Sequence, residues 1–331
     1  MTAHPYDGAW LRTALYEPRD APASADDTIV LWLQAGDTFV DVRVPPARHS
    51  NFDRRVKSFA GATSVAHRPG AAPVLTWHRK IDIRSWTPQA DAGAMTSASV
   101  SELCEDSVLP GDDYRELWRR QFASAAAAAS ECDAGASPRG WRLAPRDSAA
   151  PARCGVLVSV DGLVGLAVGR ATPADADAVA VAEAALRAHF DGASPPLARG
   201  GSDGAPAADG AAIAAEYVGL VCSGDAPLRV PRQMASLLPS CGGGGATADL
   251  FDDGSGDGAV IVPPWTVLLC TDLSLVGTLL LAPAQEGHGV PVMATGRVRA
   301  RLACGQWRVV HEDGGSGDAI DVPPLLESLL A

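Results

Sequence analysis

The residues best suited to chemistry lie in the first third of the chain, where tryptophan, arginine and acidic side chains alternate within short strand-like runs. Side chains two residues apart on a strand point to the same face. Three pairs therefore share a face each: Trp32 with Gln34, Asp41 with Arg43, and Trp77 with Arg79. We expect these faces to converge with Glu116 and Trp118 in, or at the mouth of, one barrel.

Two interpretations of these side chains stay open. Inward arginines need acidic partners, because an uncompensated buried charge is costly. The candidate acids are Asp41, Asp82, Glu102 and Glu116. In the first interpretation, Trp32, Trp77 and Trp118 line a small-ligand pocket that Arg43 and Arg79 anchor. In the second, the charges form salt bridges on an outer face, or a structural plug that fills the barrel.

Motifs of known catalytic or metal sites do not strengthen the first interpretation. The sequence contains no G-x-S-x-G, P-loop, dinucleotide-binding or H-E-x-x-H motif. Its histidines are isolated, and only His78 lies among the candidate residues. Residues 253–258 match the first half of a calcium-binding EF-hand loop, but Pro264 occupies the position of the required acid. We predict no catalytic residue, no metal and no cofactor.

The elements that position the candidate residues are predicted to be strands. Alternating or short apolar runs over 28–34, 38–44, 74–86, 95–100, 103–108 and 114–122 favour strands, the third bent near Lys80. Residues 51–59 favour a short helix or turn. With the run around Trp10, the first ~120 residues hold about seven strands, typical of an up-and-down barrel. Residues 1–123 are the predicted first barrel.

The second part of the chain is predicted to be a second, degenerate barrel over 140–331. An Ala/Ser linker at 124–139 separates it from the first. Strands at 155–160 and 163–168 flank Asp161-Gly162, a strong hairpin signal. An Ala-rich helix is predicted near 175–190, and a Gly/Ser/Pro/Ala-rich insertion at 193–210 is predicted to be disordered.

Composition limits the classes of partner. The chain of 331 residues carries a formal net charge of −12, so it has no broad basic face for nucleic acid or for an anionic membrane. Its seven cysteines form no C-x-x-C pair, which favours reduced thiols. The first residues lack the features of a signal peptide, and no apolar run reaches membrane-spanning length. We expect a cytoplasmic protein without nucleic-acid or membrane partners.

Several motifs together resemble a known family. They recur in order as Trp10-Leu-Arg12, Asp27-Thr28, Trp32-Leu-Gln34, Asp41-Val-Arg43-Val-Pro45, Phe59-Ala-Gly61, Trp77-His-Arg79-Lys-Ile-Asp82, Asp91-Ala-Gly93 and Tyr114-Arg-Glu116-Leu-Trp118. The resemblance is to poorly characterised proteins of fungi and bacteria, typified by a yeast protein named as an interactor of a casein kinase. It extends over residues 8–121, and 155–170 and 296–307 are also similar. It implies two lipocalin-like β-barrels in one chain and no established enzymatic activity.

These observations predict an all-β fold of two tandem lipocalin-like antiparallel barrels with one or two short helices. The predicted function is non-catalytic binding of an unknown protein partner or small molecule. The alternative is an enzyme or carrier that acts on a small acidic or chromophore-like molecule inside the first barrel, a reading that rests on analogy of fold.

Overall fold

A computed structural model gives the structure of the chain. It describes residues 4–45, 57–83, 91–109, 111–120, 138–145, 153–170, 218–223, 228–231, 234, 260–262, 266–271, 281–282, 292–293 and 307–313. Nearly all of these residues lie in strands or in the turns and short connections between them. The prediction of a predominantly β fold is therefore confirmed.

The first eight strands form a closed antiparallel barrel. They are β1 (Gly8–Tyr16), β2 (Ile29–Ala35), β3 (Thr38–Val44), β4 (Lys57–Ala66), β5 (Val74–Asp82), β6 (Asp91–Ser99), β7 (Glu102–Ser107) and β8 (Arg115–Arg120). Each strand pairs with the next along the chain, and β8 pairs with β1 to close the barrel. An interior of this size is just wide enough for side chains to fill.

Strand β4 corrects the sequence prediction. The helix or turn expected over 51–59 is wrong for residues 57–59, which begin this strand; residues 51–56 lie outside the described part. Pairing with β3 and β5 imposes the extended conformation, because strand formation depends on cross-strand neighbours more than on local propensity. The bend expected near Lys80 coincides with a bulge: Ala60 pairs with Ile81 and Gly61 with Arg79, which leaves Lys80 between them.

The later strands form a second sheet. Its members are β9 (Arg139–Pro145), β10 (Arg153–Val160), β11 (Leu163–Arg170), β12 (Val218–Ser223), β15 (Val267–Cys270) and β18 (Trp307–Asp313). Two short pairs accompany it: β13 (Leu228–Val230) with β14 (Val260–Val262), and β16 (Leu281–Ala282) with β17 (Val292–Met293). The order β15-β12-β11-β10-β9-β18 is open, so the described residues do not form the second closed barrel that the sequence predicted.

Several predicted features of the second half cannot be placed. The helix near 175–190, the insertion at 193–210, the acidic glycine loop at 253–258 and linker residues 124–137 lie outside the described residues. The hairpin at Asp161-Gly162 is confirmed. Both residues adopt left-handed φ values, 52° and 73°, which suit the two-residue turn between β10 and β11.

The open sheet packs against the outside of the barrel at β2 and β3. Buried apolar side chains of both units form one cluster there, with Leu33 and Val40 opposite β11. A Cβ atom at Gly165 would lie 3.1 Å from Leu33 Cδ2, a tight contact that would force Leu33 to shift by a few tenths of an ångström. At the turn, the Asp161 carboxylate accepts hydrogen bonds from the Arg120 guanidinium and, at 2.9 Å, from the Ala9 N–H.

Candidate functional site

Aromatic side chains fill one part of the barrel interior. We call this set the aromatic compartment; its rings are Tyr6, Trp10, Trp32, Trp77 and Trp118. Trp32 lies at the centre, with its ring centroid 5.7 Å from that of Trp77 and 5.8 Å from that of Trp118, both edge to face. All five residues are buried. This part of the interior is therefore a packed core of the kind that aromatic pairs stabilise.

Gln34 fixes the central tryptophan of the aromatic compartment. Its Oε1 accepts a hydrogen bond of 3.1 Å from Trp32 Nε1. Its Nε2 donates to the carbonyl of Gly36 and to Thr63 Oγ1, at 2.6 and 2.8 Å. Both ends of the amide are occupied by protein groups, so Gln34 acts as a structural bridge between β2 and β4.

The interior next to these rings is charged. We call this set the charged compartment; its members are Arg12, Asp41, Arg43, Arg79, Asp82, Asp91, Glu105, Tyr114 and Glu116, with the exposed Asp26 at its edge. Arg12 joins β1 to β8 by donating to Glu116 Oε1 at 2.6 Å, and it also donates to Asp26 at 2.6 Å. Such pairing is what a buried arginine requires.

Arg43 and Arg79 are also paired, and both contact one aromatic ring. Arg43 donates from Nε and Nη2 to both carboxylate oxygens of Asp41, at 2.8 and 3.0 Å. Arg79 donates to Asp82 at 3.0 Å and to Asp91 at 2.5 Å. Their guanidinium carbons lie 5.1 and 4.0 Å from the centroid of Phe59, which is cation–π distance.

Glu105 is the unusual acid of the charged compartment. Its Oε1 accepts a hydrogen bond of 2.8 Å from the Tyr114 hydroxyl, and its Oε2 accepts one of 3.1 Å from Trp118 Nε1. Glu116 lies directly opposite on β8. Burial, followed by the charges of Glu116 and Asp91, raises the pKa of Glu105 well above its ordinary value. This shift makes Glu105 harder to ionise than a carboxyl group in water.

Two neighbouring groups have shifted pKa values for related reasons. Burial raises the pKa of Asp41, although the Arg43 guanidinium opposes this shift. Burial and the nearby Glu105 raise the pKa of the Tyr114 hydroxyl well above its ordinary value, which keeps it a hydrogen-bond donor. The charged compartment therefore combines three arginines with two acids, Asp41 and Glu105, whose ionisation is disfavoured by burial.

The structure brings all eight sequence-predicted residues to the inner surface of one barrel, in two adjoining groups: Trp32 lies directly opposite Asp41, and Trp77 directly opposite Asp91. Trp32, Gln34, Trp77 and Trp118 lie in the aromatic compartment, and Asp41, Arg43, Arg79 and Glu116 in the charged one. Among the acids considered as partners, Glu102 is wrong, because it pairs with Arg119 outside the barrel. His78 also lies outside, where its Nε2 is 2.8 Å from Ser64 Oγ.

Sequence reasoning did not select eight residues that make up the site. They are Tyr6, Trp10, Arg12, Asp26, Phe59, Asp91, Glu105 and Tyr114. The two-residue spacing that selected the others was present, since Arg12 follows Trp10 and Glu105 follows Leu103 on the same face. Within the described residues, no group of three or more His, Cys, Asp or Glu side chains could hold a metal ion. No helix in that part of the chain is long and apolar enough to cross a membrane.

The fold and the site define a protein with an eight-stranded antiparallel barrel whose interior is half aromatic and half charged. No family model matches the chain, and no curated protein matches it. Among solved structures, the chain is similar to the crystal structure of the uncharacterized protein YLR301w from Saccharomyces cerevisiae. The two share 9% identity, with 92% of this chain and 98% of that chain covered, at a TM-score of 0.44.

Proposed function

We propose that this chain is a non-catalytic binding protein whose ligand site is the charged compartment of the first barrel. The observation that carries the proposal is the contrast in solvent exposure between some charged side chains and the central aromatic ones. The side chains of Arg43, Arg79 and Asp91 are 21%, 32% and 22% exposed to solvent. Trp32 is only 1% exposed. A polar network that is continuous from solvent into a barrel is suited to a small ligand.

The energetic cost of the charged compartment also supports a binding role. Replacing buried ion pairs by apolar residues is often neutral or stabilising, so a purely structural interior has no need of three arginines. Local features that oppose stability concentrate at functional sites. The aromatic compartment already supplies a packed core, and the charged compartment therefore serves something other than stability.

A second candidate function is an enzyme or carrier for a small acidic or chromophore-like molecule. The observation that favours an enzyme is the cross-strand pair of Glu105 and Glu116. Two adjacent carboxyl groups can supply a general acid and a general base when their surroundings push their pKa values apart. The acidic ligand is less well supported, because Arg12, Arg43 and Arg79 are all held by carboxylates of the protein.

The wider assignment is part of the same proposal. We propose membership of the two-barrel family that residues 8–121 resemble, with a lipocalin-like first barrel and a second barrel built around the open sheet. The supporting observation is that several motif residues, among them Arg12, Trp32 and Trp118, line the barrel interior. A cytoplasmic location and an unidentified protein partner belong to this proposal, and the acidic composition supports the lack of nucleic-acid or membrane partners.

Native mass spectrometry of the full chain purified from its own host tests the binding role. We expect a mass above that of the sequence, and a small molecule released unchanged on denaturation. Asp91→Asn should lose this molecule, since Asp91 lies at the exposed edge of the charged compartment. Glu102→Gln, on the outside of the same barrel, is the matched control and should retain it. A parent protein that releases no molecule would contradict the proposal, and a chemically altered molecule would favour the enzyme.

A further inference from the structure

We infer that residues 4–7 form a strap that closes the barrel over the aromatic compartment, and that this strap opens about Gly8 under the control of the second sheet. Tyr6 is the side chain that the strap inserts. Only 3% of Tyr6 is exposed, although it lies in a turn before β1. Its ring centroid lies 6.4 Å from that of Trp32, and its carbonyl accepts a hydrogen bond of 2.8 Å from Trp10 Nε1. Opening of the strap must break this hydrogen bond and withdraw the ring.

The strap is a turn with its own hydrogen bonds and is not part of the sheet. The His4 N–H donates to the Asp7 carboxylate, and the Asp7 N–H donates to the His4 carbonyl, both at 3.1 Å. The His4 ring packs edge to face on the Tyr6 ring, with their centroids 5.7 Å apart. A segment outside the ladder of strands opens at a lower free energy than the strands themselves. These local contacts let the strap move as one unit.

A hinge and a latch adjoin the strap. The hinge is Gly8, whose φ of 150° is a value that residues with a side chain rarely adopt. Glycine has the backbone freedom that a change of direction at this point requires. The latch is the Asp7 carboxylate, which accepts a hydrogen bond of 2.7 Å from the Gly36 N–H in the turn between β2 and β3. Loss of this hydrogen bond should therefore favour the open strap.

The second sheet acts on the hinge through Arg120. Asp161, in the turn between β10 and β11, accepts hydrogen bonds from Arg120 Nε and Nη2 at 2.7 and 2.5 Å. A Cβ atom at Gly8 would lie 3.1 Å from Arg120 Nε, so this guanidinium packs directly on the hinge. The hydrogen bond with Asp161 raises the pKa of Arg120, and the nearby charge of Asp7 acts in the same direction. Release from Asp161 would let Arg120 attract Asp7 and so weaken the latch.

Hydrogen exchange of the indole N–H groups, followed by NMR on the full chain, tests the strap. Trp10 reports on its opening, because its Nε1 donates to Tyr6. Trp118, which donates to Glu105 in the same barrel, is the internal reference. We expect Trp10 to exchange faster than Trp118, at a rate that low concentrations of urea leave unchanged, as local opening requires. Equal rates with the same dependence on urea would overturn the inference, since both groups would then exchange only when the barrel unfolds.

A pair of variants assigns the opening to the latch. Asp7→Ala removes the hydrogen bond to Gly36, so it should speed exchange at Trp10 about tenfold and leave Trp118 unchanged. Asp113→Ala is the matched control, because it removes an exposed carboxylate that pairs with Arg19 at 2.9 Å, and it should behave like the parent. An unchanged rate at Trp10 in Asp7→Ala, or an equal increase at both indoles, would overturn the inference.

Asp161→Ala tests the control by the second sheet. Exchange at Trp10 should increase more than exchange at Trp118, because Arg120 is released from Asp161 beside the hinge. A ratio of the two rates equal to that of the parent would overturn the role of the sheet. The parent protein alone already tests the strap, so the inference can be refuted even if a variant fails to fold. No ligand enters these measurements, so their outcome is separate from that of the proposed function.

Discussion

Replacing Arg43 by alanine should lower the free energy of unfolding by about 3 kcal/mol. Arg43 donates to both oxygens of Asp41, whose side chain is only 3% exposed. Removing one partner of a buried pair costs about 3–5 kcal/mol, because the other charge is left uncompensated. Asp41 can take up a proton, since burial already raises its pKa, and this favours the lower end of the range. Loss of the contact with Phe59 adds about 0.5–1 kcal/mol.

Urea unfolding followed by tryptophan fluorescence measures this loss. Arg119→Ala is the matched control, because Arg119 pairs with Glu102 at 2.9 Å on the outside of the barrel, where both side chains are about half exposed. Such a pair contributes less than about 1 kcal/mol. Adding Asp41→Asn to Arg43→Ala should recover part of the stability, since it removes the stranded carboxylate. Equal, small losses for Arg43→Ala and Arg119→Ala would refute the reasoning.

Three further predictions concern pH, the turn and the isolated barrel. The pKa of Glu105 is higher in the folded protein than its ordinary value of 4.5. The contribution of this group to the free energy of unfolding is therefore fully present below pH 4.5, and it is lost as the pH rises through the pKa of the folded state. Urea unfolding at about pH 5 and about pH 8 should therefore show a lower free energy of unfolding at the higher pH in the parent, and no such difference in Glu105→Gln. Asp161→Ala should lower the free energy of unfolding by about 1–3 kcal/mol, measured by thermal denaturation. It removes the hydrogen bonds to Arg120 and Ala9 and places alanine in a left-handed backbone conformation. Asp161→Asn should lower it less, because asparagine tolerates that conformation. A fragment of residues 1–123 should bind a hydrophobic dye that the full chain does not bind, because Leu33 and Val40 lose the sheet that covers them. A fragment that binds no more dye than the full chain would show that the barrel does not need this sheet to cover its outer face.

The features that sequence could predict are those set by local geometry. The two-residue spacing of Asp41 and Arg43 fixes a common face whatever the rest of the fold is, and the structure places both inside the barrel. The Asp161-Gly162 pair fixes a turn, because few other residues adopt its left-handed conformation. Neither inference needs knowledge of distant neighbours.

The features that sequence could not predict depend on pairing between strands. The spacing of β7 places Glu105 on the same face as the apolar Leu103. Its position directly opposite Glu116 on β8 depends on the register between the two strands, which the sequence does not reveal. Strand β4 was missed because its small residues carry a weak signal and its extended form is imposed by β3 and β5.

The outer surface of the barrel helps to explain how a charged interior is tolerated. Strands β2 and β3 carry buried apolar residues on their outer face, including Leu31, Leu33, Val40 and Val42, which pack on the open sheet. Burial of apolar surface contributes about 25 cal/mol per Å² wherever it occurs, inside a barrel or against its wall. The stability that a barrel usually gains from an apolar interior is here supplied partly by the sheet, through contacts such as Leu33 on Gly165. The second half of the chain thus supplies apolar burial that the charged compartment does not.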